Sequence, residues 1–180
     1  MHYENESVDV LLSAQQIDTR LQEMAQDIMR DYAGQTITLV CTLTGGVIFL
    51  ADLARKLGNN VHFDFVRAAS YGSGTSSSGH VKVELPPGLN LTGKQVLIVE
   101  DIIDSGHTLS KITQYLAGLG AADIKIAALL DKPDRREVHG IKVDYLGFTI
   151  PDAFVVGYGL DYDQRYRNLP YVGVLRFGGQ

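Results

Sequence analysis

The stretch Val96-Leu97-Ile98-Val99-Glu100-Asp101-Ile102-Ile103-Asp104-Ser105-Gly106-His107-Thr108-Leu109 decides how the rest of the chain reads. Four consecutive apolar residues, Val96 to Val99, predict a central strand covered on both faces. Two carboxylates end it, a tight turn with Asp104, Ser105, Gly106 and Thr108 follows, and Leu109, Ile112 and Leu116 predict a helix by their spacing. In open α/β sheets ligands sit outside the carboxyl ends of the strands, so this segment is where a site belongs. The turn offers backbone N–H groups at a helix N-terminus and the hydroxyls of Ser105 and Thr108. Gly106 lets the backbone come close to a ligand, which makes the turn a phosphate cradle. Helix capping by Asp104 and Ser105 would use the same groups. Capping does not account for Glu100, Asp101 and Asp104 flanking so short an apolar run. Carboxylates beside a phosphate cradle suit a ligand that also brings hydroxyls, a metal ion or developing positive charge.

Working outward, the same strand–helix alternation recurs. Ile37–Leu43 predicts a strand, and Val47, Leu50, Ala54 and Leu57 a helix stripe. Val61–Arg67 predicts a second strand and Ile124–Leu130 another buried one. The resulting β-α-β-β-α-β order indicates an α/β fold on a mostly parallel sheet flanked by helices. An opening helix is signalled by the capping box Ser13-Ala14-Gln15-Gln16, with Ile17, Leu21, Met24 and Ile28 on one face until Gly34. Ser70 to Gly79, rich in Ser, Gly and Thr, predicts a mobile loop or hairpin tip. Past residue 150 come short β-prone pieces, Phe154–Gly157 and Tyr171–Leu175, expected to form a small hood over the strand ends. The expectation is a single domain over residues 1–180. Its core is placed at about 36–150, with the hood drawn from the N-terminal segment and from about 151–180.

The 180 residues are 45% hydrophobic and 21% charged, enough for one core without a disulfide or metal staple. The formal net charge of -5 argues against a polyanion-binding surface, so no nucleic-acid partner is expected. Met1-His2-Tyr3-Glu4 lacks the features of a signal peptide, and no 18-residue apolar window exists, so the expected location is cytoplasmic with no membrane contact. Cys41, the only cysteine, lies in an apolar run and reads as a buried, inert thiol.

The Glu100–Thr108 segment resembles the phosphoribosyl pyrophosphate (PRPP) signature of the type I phosphoribosyltransferases, and Glu-Asp-Ile-Ile-Asp-Ser-Gly is most similar to the hypoxanthine(-guanine) branch. Further features of that family follow in order: Thr44-Gly45-Gly46, Ser70-Tyr71-Gly72, Lys132, Phe154-Val155-Val156-Gly157-Tyr158 with Leu160-Asp161-Tyr162, and Arg167. The likeness runs from about Leu12 to Gly173. It implies the type I phosphoribosyltransferase fold and a purine salvage reaction that joins a 6-oxopurine to PRPP with Mg²⁺. Hypoxanthine is the expected base, guanine a second one and xanthine a weaker candidate.

The resemblance also implies roles. Glu100 and Asp101 would bind the ribose hydroxyls directly or through Mg²⁺, and Asp104 would take the proton from N7 of the purine. Ser105, Gly106, His107 and Thr108 would hold the 5′-phosphate. Leu43, Thr44 and Gly45 would bind pyrophosphate around a non-proline cis peptide, together with Arg167; many relatives carry Lys or Arg where this chain has Thr44. Ser70 and Tyr71 would close as a lid. Phe154 would stack on the purine, Lys132 would donate to O6, and main-chain groups of Val155 and Asp161 would read the rest of the ring. The Asp161 carboxylate would help hold a second Mg²⁺. The family usually forms dimers or tetramers, so a homo-oligomer is expected.

Taken singly, several of these residues have plainer explanations. A Phe beside two valines is more often core, a Lys after a strand more often solvated, and Arg167 sits in a polar run. Gly88 to Gln95 nearly matches a P-loop, but it ends in Gln and precedes a strand instead of following one. The five histidines have no metal-ligand spacing. A PRPP-sensing, nucleic-acid-binding regulator would need a basic surface or an added segment. A nicotinamide dehydrogenase would need Gly-x-Gly-x-x-Gly after the first strand, which is absent.

Overall fold

A computed structural model describes residues 6–70 and 81–178. Tyr71, one half of the expected lid, lies outside the described residues, as does most of the Ser70–Gly79 loop. Thirteen elements follow in order: β1 (Glu6–Leu12), α1 (Ala14–Tyr32), β2 (Ile37–Leu43), α2 (Val47–Lys56), β3 (Val61–Ser70), β4 (Val81–Glu84), β5 (Gln95–Ile103), α3 (His107–Gly118), β6 (Asp123–Asp131), a 3-10 turn (Pro133–Arg135), β7 (Tyr145–Thr149), β8 (Val155–Val156) and β9 (Val172–Phe177).

Six strands form the main sheet in the order β4-β3-β2-β5-β6-β7. The β3–β2, β2–β5, β5–β6 and β6–β7 pairs are parallel, and only β4 runs antiparallel, beside β3. A parallel sheet buried on both faces reads as near-continuous apolar runs, and β2, apart from Thr38 and Thr42, and Val96–Val99 of β5 supply them. Their alternation divides the core. Leu39 and Cys41 of β2 join Leu97 and Val99 of β5 under α1 and α2. Val40, Val96 and Ile98 face the other way, against Leu109, Ile112 and Leu116 of α3.

The expected capping box at Ser13 is present: Gln16 N–H donates to Ser13 Oγ at 3.2 Å and Ser13 N–H to Gln16 Oε1 at 2.8 Å. Ile17, Leu21, Met24 and Ile28 are buried. Three strands escaped the sequence reading. β4 is four residues long, β7 five, and β1 (Glu-Ser-Val-Asp-Val-Leu-Leu) is only partly buried, so their hydrophobic periods are weak. β1 pairs antiparallel with β9, and β9 with β8, to make a second sheet from the two ends of the chain. Among the described residues no helix is long and apolar enough to cross a membrane.

Candidate active site

The central strand is longer than its apolar run suggests. β5 continues through Glu100 and Asp101 to Ile103, so the two carboxylates belong to the strand and not to the turn after it. Their side chains stay within hydrogen-bonding reach of each other, because the regular alternation breaks between Val99, on the α1–α2 side, and Ile102, which packs on that same side. Glu100 is buried. Its Oε2 accepts a 2.7 Å hydrogen bond from the Thr42 hydroxyl of neighbouring β2. Asp101 meets the loop Leu43-Thr44-Gly45. A Cβ built on Gly45 would fall 1.7 Å from Asp101 Oδ2, so only glycine lets the loop lie this close to the carboxylate.

Both carboxyls are held above their ordinary range. For Glu100 the main cause is burial, then the neighbouring Asp101 charge, with the Thr42 hydrogen bond pulling the other way. For Asp101 burial again leads; hydrogen bonds from the backbone and from Glu100, and the Arg167 guanidinium, oppose it. This is a buried carboxylate pair short of positive charge. Among the described residues no cluster of three or more His, Cys, Asp or Glu is arranged to hold a metal ion by itself. Two carboxylates fit Mg²⁺, which is ordinarily bound through one or two of them with water and substrate oxygens completing the shell.

The Leu43–Thr44 peptide is cis, as the resemblance implies. Opposite this loop stands Gly159, at φ +102°, where a Cβ would lie 2.0 Å from Gly45 O. Arg167 fastens the same corner. Its Nη1 donates to Gly159 O at 2.7 Å and its Nη2 lies 2.8 Å from Asp161 Oδ1. Asp161 Oδ2 accepts from Gln164 N–H at 2.9 Å. Asp161 therefore sits across the loop with Arg167 and does not join the Glu100–Asp101 pair.

The turn into α3 is braced from behind. The capping residue is Gly106, at φ +88°, and no side chain caps the helix, so the capping explanation for Asp104 and Ser105 fails. A missing cap costs about 1 kcal/mol. Burial of Leu109, Ile112 and Leu116 contributes roughly 1.5–3 kcal/mol each, which outweighs it and fixes the helix start. Ser105 O accepts from Glu137 N–H and Val138 N–H, both at 3.0 Å. A Cβ on Gly106 would meet Ile141 Cδ1 at 2.8 Å. His107 Nε2 lies 2.8 Å from Glu137 Oε2, which turns its ring towards Glu137 and leaves its backbone N–H among the first donors of the helix. Glu100, Asp101, Asp104, Ser105, Gly106 and Thr108 line a cavity of about 140 Å³. A larger one of about 430 Å³ opens between α3 and residues 138–144. The smaller cavity brings the three carboxylates and the helix-start turn together.

Two residues depart from their plainer explanations. Lys132 is buried, 8% exposed, with its ammonium 3.9 Å from Asp152 Oδ1. Phe154 is 51% exposed instead of lying in the core, and it meets Tyr162 edge-on at 5.7 Å between ring centres. Beside it Val155 is buried in β8. Ser70 closes β3, in register with Val81 of β4. The sequence reading passed over Thr42, Arg135, Glu137 and Asp152. Thr42 was signalled only as a hydroxyl in an apolar strand. The other three sit in charged or turn-like stretches indistinguishable from a solvated surface.

A family model described as the phosphoribosyl transferase domain matches residues 7–163. The hypoxanthine phosphoribosyltransferase of Escherichia coli strain K12 is 46% identical over 169 residues, covering 93% of this chain and 94% of its own. The hypoxanthine-guanine phosphoribosyltransferase of Streptococcus thermophilus strain CNRZ 1066 is 44% identical over 167 residues, covering 93% and 92%. Among solved structures, a hypoxanthine phosphoribosyltransferase from Staphylococcus aureus superposes with a TM-score of 0.87 at 40% identity, covering 93% of this chain and 91% of that one. With its paired carboxylates, glycine-led helix start and glycine loop on a matching sheet, the chain belongs to the phosphoribosyltransferase family.

Proposed function

We propose that this chain is a purine salvage enzyme that transfers the 5-phosphoribosyl group of PRPP to N9 of hypoxanthine, giving IMP and pyrophosphate. Guanine is a second substrate, giving GMP. The observation that carries the reading is the run Glu100–Thr108. A buried carboxylate pair and a phosphate-binding helix start are separated by one further carboxylate, Asp104, within a single strand–turn–helix unit. The named activities of the relatives described above support the same reaction.

The N–H groups at the start of α3, with the Ser105 and Thr108 hydroxyls, hold the 5′-phosphate. Glu100 and Asp101 meet the ribose hydroxyls. Their negative charge stabilises the positive charge that develops at the anomeric carbon as its bond to pyrophosphate breaks and the bond to N9 forms. Amides of the Leu43–Gly45 loop and the Arg167 guanidinium take the departing pyrophosphate. Glu100 and Asp101 are also the Mg²⁺ ligands in this reading, with Asp161 at a second ion; bound Mg²⁺ supplies the charge that neutralises the pyrophosphate. Asp104 accepts the proton from N7. Lys132 donates to O6, Phe154 stacks on the ring, and the main chain at Val155 and Asp161 reads its far edge. Ser70 and Tyr71 belong to the lid that excludes water. The enzyme works in the cytoplasm as a homodimer or homotetramer.

The test is a spectrophotometric assay with PRPP and Mg²⁺, offering hypoxanthine, guanine, xanthine and adenine in turn. Turnover of hypoxanthine that disappears on chelating Mg²⁺ is the expected result. PRPP binding without turnover of any base would refute the enzymatic reading and favour a PRPP-binding regulator.

A further inference from the structure

Arg135, in the 3-10 turn after β6, has no part in the reaction as described above, yet it touches the residue assigned as proton acceptor. Its Nε donates to Asp104 Oδ1 at 3.1 Å. Its Nη1 lies 3.8 Å from Asp152 Oδ2, and Asp152 Oδ1 lies 3.9 Å from Lys132 Nζ. Four side chains of alternating charge therefore run from Asp104 through Arg135 and Asp152 to Lys132. The two ends are the groups that meet N7 and O6 on one edge of a 6-oxopurine.

Fold stability does not explain this chain of contacts. Arg135, Asp104 and Asp152 are about half exposed, at 54%, 47% and 51%, and such ion pairs contribute about 0–1 kcal/mol. What a planar guanidinium does well is fix direction, because its donors are held in a rigid fork. The remaining charges nearby are spoken for: Glu137 by His107, and Glu100 by Thr42.

We infer that Arg135 is a positioning residue for the proton acceptor: it holds Asp104 through Oδ1, presents Oδ2 to the purine, and through Asp152 ties that acceptor to the Lys132 ammonium at a set spacing. The proton moves from N7 to Asp104, and Arg135 stays charged throughout. Its neighbours Asp104 and Asp152 raise its pKa further above the usual arginine range.

The inference rests on the proposed function, and the experiment separates the two. Steady-state constants are measured for the unaltered enzyme, Arg135→Ala, Arg135→Lys, Asp104→Asn and the Arg135→Ala/Asp104→Asn double variant. Arg135→Ala should lower kcat about 10-fold or more, as misplacement of a reacting group does, with KM for PRPP unchanged within about 2-fold. Arg135→Lys should recover part of the loss. In the Asp104→Asn background, Arg135→Ala should cost nothing further, because two residues acting through one group are non-additive. Arg135→Gln keeps the side-chain length and should repeat the Ala result, so a folding fault in one variant does not hide the answer. If the unaltered enzyme turns over no 6-oxopurine, the functional reading falls and the inference with it. If it is active and Asp104→Asn is impaired while Arg135→Ala and Arg135→Gln are normal, the inference alone is overturned. An equal loss in the Asp104→Asn background also overturns it, since Arg135 would then act elsewhere.

Discussion

Gly45→Ala tests how the two halves of the site are fitted together. A Cβ at this position would lie 1.7 Å from Asp101 Oδ2 and 2.7 Å from its Cγ. A carbon–oxygen contact settles at about 3.3 Å, so Oδ2 must retreat by about 1.6 Å. The obstructing atoms are the end of a side chain and not backbone, so the fold can yield. In the proposed reaction the Asp101 carboxylate has to stay in place: a displacement of 1 Å near the chemistry can cost roughly 10²-fold. The expectation is a loss of about 10²-fold in kcat/KM for PRPP, a higher Mg²⁺ requirement and little change in Tm. Gly118→Ala is the matching control. Gly118 closes α3, is exposed, and has nothing within 4 Å of a built Cβ. That variant should keep full activity and gain about 0.5–1 kcal/mol from helix propensity. Steady-state kinetics at several Mg²⁺ concentrations, with thermal melts of both variants, make the comparison. Unaltered kinetics in Gly45→Ala would refute the reasoning, because the loop and Asp101 would then have no functional need of their close approach.

Asp104→Asn should lower turnover by about 10²–10⁴-fold while PRPP binding, followed by calorimetry, survives; near-normal turnover would remove Asp104 as the base. Phe154→Ala should raise KM for the purine far more than KM for PRPP, since the ring is exposed and its loss empties no core; equal effects on both would point to a folding defect. Glu100 and Asp101 both titrate above their unfolded values, so the stability they contribute is present below about pH 4 and is lost as pH rises through their elevated folded pKa values. Without Mg²⁺, Glu100→Gln should therefore raise Tm at pH 8 and flatten its dependence on pH in melts from pH 5 to 8. A lower Tm at pH 8 in that variant would contradict the charge-deficient pair.

Hydrophobic period and motif order in the sequence determined that β2, β5 and β6 are buried parallel strands, that α1 begins at a capping box, and that a glycine-containing turn carries Asp104 into a helix. Those features are local: a continuous apolar run, a 3.6-residue stripe and a capping pair are all written within a dozen consecutive residues. Tertiary structure alone decided the rest. The apolar run stops at Val99, but β5 goes on to Ile103 because Ala128 and Leu130 of β6 pair with Glu100 and Ile102. The second sheet joins Glu6–Leu12 to Val172–Phe177, an antiparallel register that no local pattern specifies because the partners stand at opposite ends of the chain. Thr42 reaches Glu100 across 58 positions, Arg135 reaches Asp104 across 31, and Gly45 meets Gly159. A side chain's type can be read from its own position. Its electrostatic partner is set by which strand ends the sheet brings side by side, and that is a property of the folded chain as a whole.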